Sequence, residues 1–264
     1  MKPKAWLLFF VAVAFVYTGP VTLADSSPQD VPSTPQKTKK ATCKKATREG
    51  HTQTSSSKQK TKAEQPKWIS LFDGKTLKGW KITDFGGQGD VYVKDGQIIL
   101  EKGADLTGIT WAHPEKLLRV NYEISLDAMR VEGSDFFCGL TFPVRKDEYC
   151  SLILGGWGGG VCGISCIDGM DASENDTTTY MEFKNGRWYH VRVRVTAKRI
   201  QAWVDNQKIV DQDIQDVRLS VRIEVEPSKP FGIASWQTKA ALKNIRIRPL
   251  SKKEVEQTNA EKEQ

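Results

Sequence analysis

Histidine is scarce in this 264-residue chain, with three residues, and there are only five cysteines and four methionines. So few imidazole and sulfur ligands weaken the case for a zinc centre, and no second C-x-x-C or His pair accompanies Cys162 and Cys166 to complete one. Long apolar runs are also missing. The longest, residues 5–16, is about 12 residues where a membrane span needs roughly 20, so the chain is not expected to span a membrane. Charge of one sign is absent where folding is expected. The net +7 comes from residues 1–66, with 11 Lys+Arg against 4 Asp+Glu, while residues 67–264 hold 28 of each. An electroneutral domain excludes the basic footprint of nucleic-acid binding, so no nucleic-acid partner is expected. Missing too is a sustained 3.6-residue period, which excludes a helical bundle.

What is present begins with targeting. Lys2 and Lys4, the apolar run and the small-residue junction Thr22-Leu23-Ala24 form a secretory signal peptide over residues 1–24, so the protein is expected to be secreted, periplasmic or in the cell envelope. Residues 25–66 contain no aromatic residue and are rich in Lys, Ser, Thr, Pro and Gln. They read as a disordered basic linker, either a solvated spacer or a segment resting on an anionic envelope surface. Export gives the cysteines an oxidising context, and at least one disulfide is expected among Cys138, Cys150, Cys162 and Cys166, with Cys43 left over. Residues 251–264 are polar and are expected to form a disordered tail.

Between Trp68 and Leu250 the period is two. Val120, Tyr122, Ile124, Leu126 and Ala128 alternate with polar residues, as do Tyr189, Val191, Val193 and Val195. Asp95-Gly96, Asn185-Gly186 and Asp205-Asn206 punctuate such runs as hairpin turns. About 13 short strands and no long helix predict an all-β fold for residues 67–250, a two-sheet antiparallel β-sandwich.

Three segments, SLFDGKTLKGWK (residues 70–81), ITWAHPEKLLRVNYEISLDAMRV (109–131) and ALKNIRIRPL (241–250), resemble the 3-keto-disaccharide hydrolase domain family. NGRWYHVRVRVTAKRIQAWVDNQKIVD (185–211) is similar to the strand-turn-strand signature of laminin-G-like sugar-binding sandwiches. The resemblance implies a secreted sandwich of the concanavalin-like jelly-roll type, a carbohydrate partner, and hydrolysis of 3-keto-disaccharides or other keto-glycosides. A non-catalytic lectin-like module and an envelope structural domain are the alternatives. Typical members carry Tyr-Glu where this chain reads Tyr149-Cys150.

In a 3-keto glycoside the ketone acidifies the C2 proton. A base can remove it, the enolate expels the C1 substituent, and water then adds. That chemistry needs a base, an acid for the leaving oxygen and a donor or cation for the enolate. His190 is the candidate base. By alternation it shares an outward strand face with Trp188 and Arg192, which suit sugar stacking and hydrogen bonding, and an outward Trp188 calls for a loop, tail or ligand to cover it. Trp157, set among glycines in GGWGGG, is a candidate stacking platform at the edge of that face. Asp168, Asp171, Glu174 and Asp176 cluster within nine residues on a Gly-containing loop. They are either a solvated acidic loop or the ligands of a Ca²⁺ ion, which could also neutralise an enolate.

Overall fold

The computed structural model describes residues 66–261. The expected signal peptide, residues 25–65 of the expected linker, and Cys43 lie outside the described residues. Within them the chain forms 15 strands: β1 (Ile69–Ser70), β2 (Trp80–Ile82), β3 (Val91–Lys94), β4 (Gln97–Leu100), β5 (Leu106–Trp111), β6 (Tyr122–Glu132), β7 (Cys138–Pro143), β8 (Tyr149–Gly156), β9 (Val161–Ser165), β10 (Thr179–Tyr180), β11 (Trp188–Val195), β12 (Arg199–Val204), β13 (Gln207–Asp213), β14 (Gly232–Trp236) and β15 (Lys239–Pro249). The three expected hairpin turns fall between β3 and β4, just before β11, and between β12 and β13.

Two antiparallel sheets result. One runs β13-β12-β11-β6-β15-β4-β3 with β1 also on β15; the other runs β10-β9-β8-β7-β14-β5-β2. The expected two-sheet sandwich is what the chain adopts. Alternation decides which residues enter the core. Tyr122, Ile124, Leu126 and Ala128 of β6 and Tyr189, Val191, Val193 and Val195 of β11 meet Cys138, Leu140 and Phe142 of β7 and Cys150, Leu152 and Leu154 of β8 in one buried cluster. Fully burying one Val, Leu, Ile or Phe side chain stabilises by about 1.5–3 kcal/mol, so this slab is the main stabilising element.

Two expectations are corrected. The C-terminal segment is not a disordered tail throughout, since Lys252–Ala260 forms helix α1. Its start is a capping box: the Glu254 N–H donates to Ser251 Oγ at 3.3 Å, and Glu254 Oε2 accepts from Ser251 N–H at 2.8 Å. Arg248 Nη2 reaches Glu254 Oε1 at 2.7 Å, and α1 buries Thr258 completely. Burial works to raise the Glu254 pKa, but the Arg248 bond and the two Ser251 bonds prevail and hold it at about 2.

The second correction concerns the disulfides, because Cys138, Cys150, Cys162 and Cys166 are all buried free thiols. Cys138 and Cys162 both lie opposite Leu154, on the strands flanking β8. Their Cα atoms are therefore two strand spacings apart, about 9.5 Å, beyond the roughly 7 Å that a disulfide spans. Cys150 belongs to the inter-sheet core, whereas Cys166 lies past the end of β9 with its sulfur 3.4 Å from the Ser165 hydroxyl. None of the four is bonded to another. Burial pushes the Cys138 thiol up to about 12 and that of Cys162 to about 11, which keeps both protonated and unreactive.

Alkylation of the native full-length protein is accordingly expected to spare all four domain cysteines, and alkylation after unfolding without reductant to label all four; a bridged pair in mass-spectrometric mapping would reverse this. The Glu254 shift sets a pH window for α1. A depressed folded-state value adds stability that is fully present above about 4.5 and is lost as pH falls through about 2. Protection of α1 amides, measured as exchange relative to the unfolded chain at the same pH, should therefore fall between those values, and Glu254→Gln should abolish that dependence.

Candidate functional site

The outward face of the seven-stranded sheet carries short side chains where it is crossed by other parts of the chain. Ser165, Ser151, Thr141, Gly232 and Thr110 form one register row across β9, β8, β7, β14 and β5. Gly163, Ile153, Gly139, Ala234 and Gly108 form the next. Thr141 Oγ1 and Ser151 Oγ share a hydrogen bond of 2.8 Å. Two of the glycines are required by close approach. A Cβ on Gly139 would come within 2.9 Å of the Phe136 ring, and one on Gly232 within 2.6 Å of Ser228 O.

Ser228 ends a 3₁₀ segment, Ile223–Ser228, that crosses this face as a strap. Its approach is anchored beside β9, where Cys166 N–H donates to Ser220 O at 2.7 Å and Asp168 Oδ1 accepts from Arg218 N–H at 2.8 Å. Across the sheet, the Thr110 hydroxyl donates to Pro227 O at 3.1 Å. Val225 packs downward with Leu106, Val221 and Ala234 into a small second cluster, joined by Phe136 and Trp236.

Between strap and sheet lies a cavity of about 210 Å³ lined by Asp135, Phe136, Ser151, Trp157, Ser165, Arg222 and Glu224, with Leu106, Ile153, Val225 and Trp236 completing its walls. Arg222 is its cation. It grips Glu224 with Nε at 3.2 Å and Nη2 at 2.9 Å, and its Nη1 donates to Asp171 Oδ2. The Glu224 bond, reinforced by Asp171, raises the Arg222 pKa and lowers that of Glu224, so both are charged throughout the usual range. A guanidinium has five N–H donors, and these contacts use three.

Asp171 is set in place by its loop. Ser165 Oγ donates to its Oδ1 at 3.1 Å. The loop is organised by the buried Asn175, whose amide nitrogen donates to Ile164 O at 2.8 Å, Met170 O at 3.2 Å and Asp171 O at 2.6 Å, while its oxygen accepts from the Thr177 N–H and hydroxyl. On the opposite rim, Asp135 Oδ1 accepts from Phe136 N–H at 2.7 Å and Oδ2 from Gly158 N–H at 3.2 Å. No ion pair involves Asp135 among the described residues. The Gly158 donor belongs to the tight turn that carries Trp157, a residue at φ 49° and 46% exposed.

The residues anticipated from sequence divide between the two faces of the sandwich. Trp157 lines the cavity. Trp188, His190 and Arg192 lie on the outward face of the eight-stranded sheet, so Trp157 is not at their edge. Trp188 is covered by its own chain, with Lys243 Nζ 3.9 Å from the ring centroid. His190 Nδ1 is 2.6 Å from Asp127 Oδ1, and Arg192 stacks on Trp203 at 4.5 Å and faces Glu123 at 3.5 Å. Glu123 itself is buried and also takes Arg194 at 2.8 Å and Arg248 at 3.0 Å.

The acidic loop does not gather its carboxylates. Asp168 caps Arg218 N–H, Asp171 turns to Arg222 and Ser165, Glu174 is exposed, and Asp176 lines a separate hollow with Lys208 and Asp211. Among the described residues no group of three or more His, Cys, Asp or Glu side chains is placed to hold a metal ion. The Tyr149-Cys150 departure also takes on a different weight. Cys150 points into the inter-sheet core and Ser151 into the cavity, so a glutamate at 150 would be turned away from this site.

Asp135, Arg222, Glu224 and Trp236 were not anticipated. One signal was available in Ser151 and Ser165, hydroxyls at outward positions of otherwise apolar strands.

Residues 67–248 match the 3-keto-alpha-glucoside-1,2-lyase-like domain. The chain belongs to that family. The family is thus carbohydrate-related, in keeping with the resemblance seen in the opening and closing segments. No curated protein matches the chain significantly. Among solved structures it is similar to domain 4 of an extracellular arabinanase from Geobacillus stearothermophilus in complex with arabinotriose, at 15% identity and TM-score 0.45, over 74% of this chain and 100% of that one. It is also similar to a carbohydrate-binding module from Bacillus subtilis, at 13% identity and TM-score 0.43, over 64% of this chain and 95% of that one.

Asn175 is the residue on which the acidic loop depends. Asn175→Ala is expected to destabilise the fold by about 2–3 kcal/mol in chemical denaturation, through several unmet buried polar groups, while Glu174→Ala at the exposed neighbouring position should stay within about 0.5 kcal/mol.

Proposed function

We propose that the domain cleaves 3-keto glycosides by elimination and that the cavity beneath the strap is where it does so. The observation that carries this reading is the pairing, in one cavity beside two tryptophans, of a carboxylate held by two backbone N–H groups and in no salt bridge among the described residues, and a guanidinium with donors to spare. Family membership supports the reaction type.

Asp135 takes the proton from C2 of the sugar. The electron pair moves into the C2–C3 bond and onto the C3 oxygen, and Arg222 holds that oxygen as its charge develops. The pair then returns to form the C1–C2 double bond as the C1–O bond breaks, and the departing oxygen carries its electrons away and takes up a proton. Water adding afterwards to the unsaturated ketone gives the products of hydrolysis. Glu224 and Asp171 are positioning residues, fixing the guanidinium plane before substrate arrives, so that no reorganisation is needed as charge moves. Aromatic Trp157 offers an edge platform for the sugar ring. Export, with the basic residues 25–66 resting on an anionic envelope surface, belongs to the same proposal.

Full-length protein given a 3-keto-α-glucoside is expected to release the unsaturated keto-sugar or its hydrate. Asp135→Asn should lower kcat by about 10²–10⁴, and Arg222→Gln by about 10²–10³, in variants whose circular dichroism is unchanged. Binding of the keto-glucoside without turnover would replace this reading with the lectin-like one, and full activity in Asp135→Asn would remove Asp135 as the base.

A further inference from the structure

The cavity has two unlike parts. One part is walled by Ser165, Ser151 and Arg222, all polar and engaged in the Thr141 and Asp171 hydrogen bonds. The other is walled by Trp236, Leu106, Phe136 and Ile153, with Val225 above them on the strap and the Asp135 carboxylate at its rim beside Phe136. Leu106 and Trp236 are cross-strand partners in direct register, and the Phe136 and Trp236 rings lie 6.4 Å apart. Among Leu106, Phe136, Ile153, Val225 and Trp236 the only side-chain polar atom is the indole nitrogen of Trp236.

A sugar carries a hydroxyl on almost every ring carbon. Seated against Leu106, Val225 and Phe136, a second sugar ring would give up water at several hydroxyls and find at most one partner, which is unfavourable. Aliphatic side chains such as Leu106 and Val225 also lack the flat face on which a sugar's C–H surface stacks. An alicyclic or aromatic group without hydroxyls meets neither difficulty and gains by burying apolar surface.

Building on the elimination reading, we infer that the group leaving from C1 is an apolar aglycone and not a second sugar. The keto-sugar ring occupies the Ser151, Ser165 and Arg222 part, where the unused guanidinium N–H groups can donate to the enolate oxygen and the serine oxygens can accept from sugar hydroxyls. Its C1 substituent occupies the Leu106, Phe136, Val225 and Trp236 part.

The test compares full-length protein on three substrates: the methyl and the cyclohexyl 3-keto-α-glucosides and a 3-keto-disaccharide. Methanol and cyclohexanol are similarly poor leaving groups, so their ratio reports the apolar contact and not leaving-group chemistry. The expected result is a kcat/KM for the cyclohexyl compound about tenfold or more above both others. Val225→Ser and Leu106→Ser, each checked for an unchanged near-ultraviolet spectrum, should bring the cyclohexyl-to-methyl ratio toward one; Val225 sits on the strap and remains usable if Leu106→Ser does not fold. Equal rates for the methyl and cyclohexyl compounds, or preference for the disaccharide, would overturn the inference. Should none of the three be cleaved, the elimination reading fails on its own. Calorimetry with unoxidised methyl and cyclohexyl α-glucosides then decides the aglycone question: tighter cyclohexyl binding that Val225→Ser removes upholds it, and equal binding ends it.

Discussion

Everything in this domain is arranged around a dry slab between two sheets. In β6 and β11, and opposite them in β7 and β8, every second residue is committed to that slab, so the sheet faces turned away from it are the places where polar chemistry can stand. The same commitment explains the cysteines. Cys138, Cys150 and Cys162 occupy inward positions as small apolar residues, and their sulfur chemistry is silenced by the burial that recruits them.

The two outward faces are treated differently. On the eight-stranded sheet, charge and aromatic surface satisfy each other. Arg246 and Arg248 approach Trp68, Arg192 and Arg194 approach Trp203, Lys243 covers Trp188, and Glu123 with α1 completes the arrangement. On the seven-stranded sheet, glycine and hydroxyl rows let a loop and a strap lie close to the backbone, and the space they enclose is the cavity. One face is closed by its own side chains; the other is left with unused donors. That contrast weighs more for locating chemistry than the presence of a histidine, because His190 is already engaged by Asp127 and Ser125.

Much of the fold was legible in the sequence because period-two alternation and turn dipeptides are local signals. The inward and outward sides of β6 and β11, and the three hairpin turns, follow from them directly. Trp157 was legible for a similar reason, since a tryptophan among glycines marks an exposed turn. The rest of the cavity was not, because Asp135, Arg222 and Trp236 are far apart in sequence and meet only through strand register and the course of the strap. The acidic loop shows how local density misleads. Asp168, Asp171, Glu174 and Asp176 are neighbours in sequence, yet an Asn175-centred turn points them to different partners. Helix α1 could have been found, because Ser251 and Glu254 have capping-box spacing at the head of a polar segment.

The last strand has a consequence for how the protein comes into being. Strand β15 lies between β6 and β4 in the interior of its sheet, and the first strand, β1, pairs with it through Ile69 and Ile247. A nascent chain emerging from the ribosome therefore holds a sheet with its central place vacant until residues 239–249 arrive. Contacts of such long sequence separation slow folding. Closure of the domain waits for residues 239–249, and a chain cut short before β15 lacks an interior strand and not a dispensable margin.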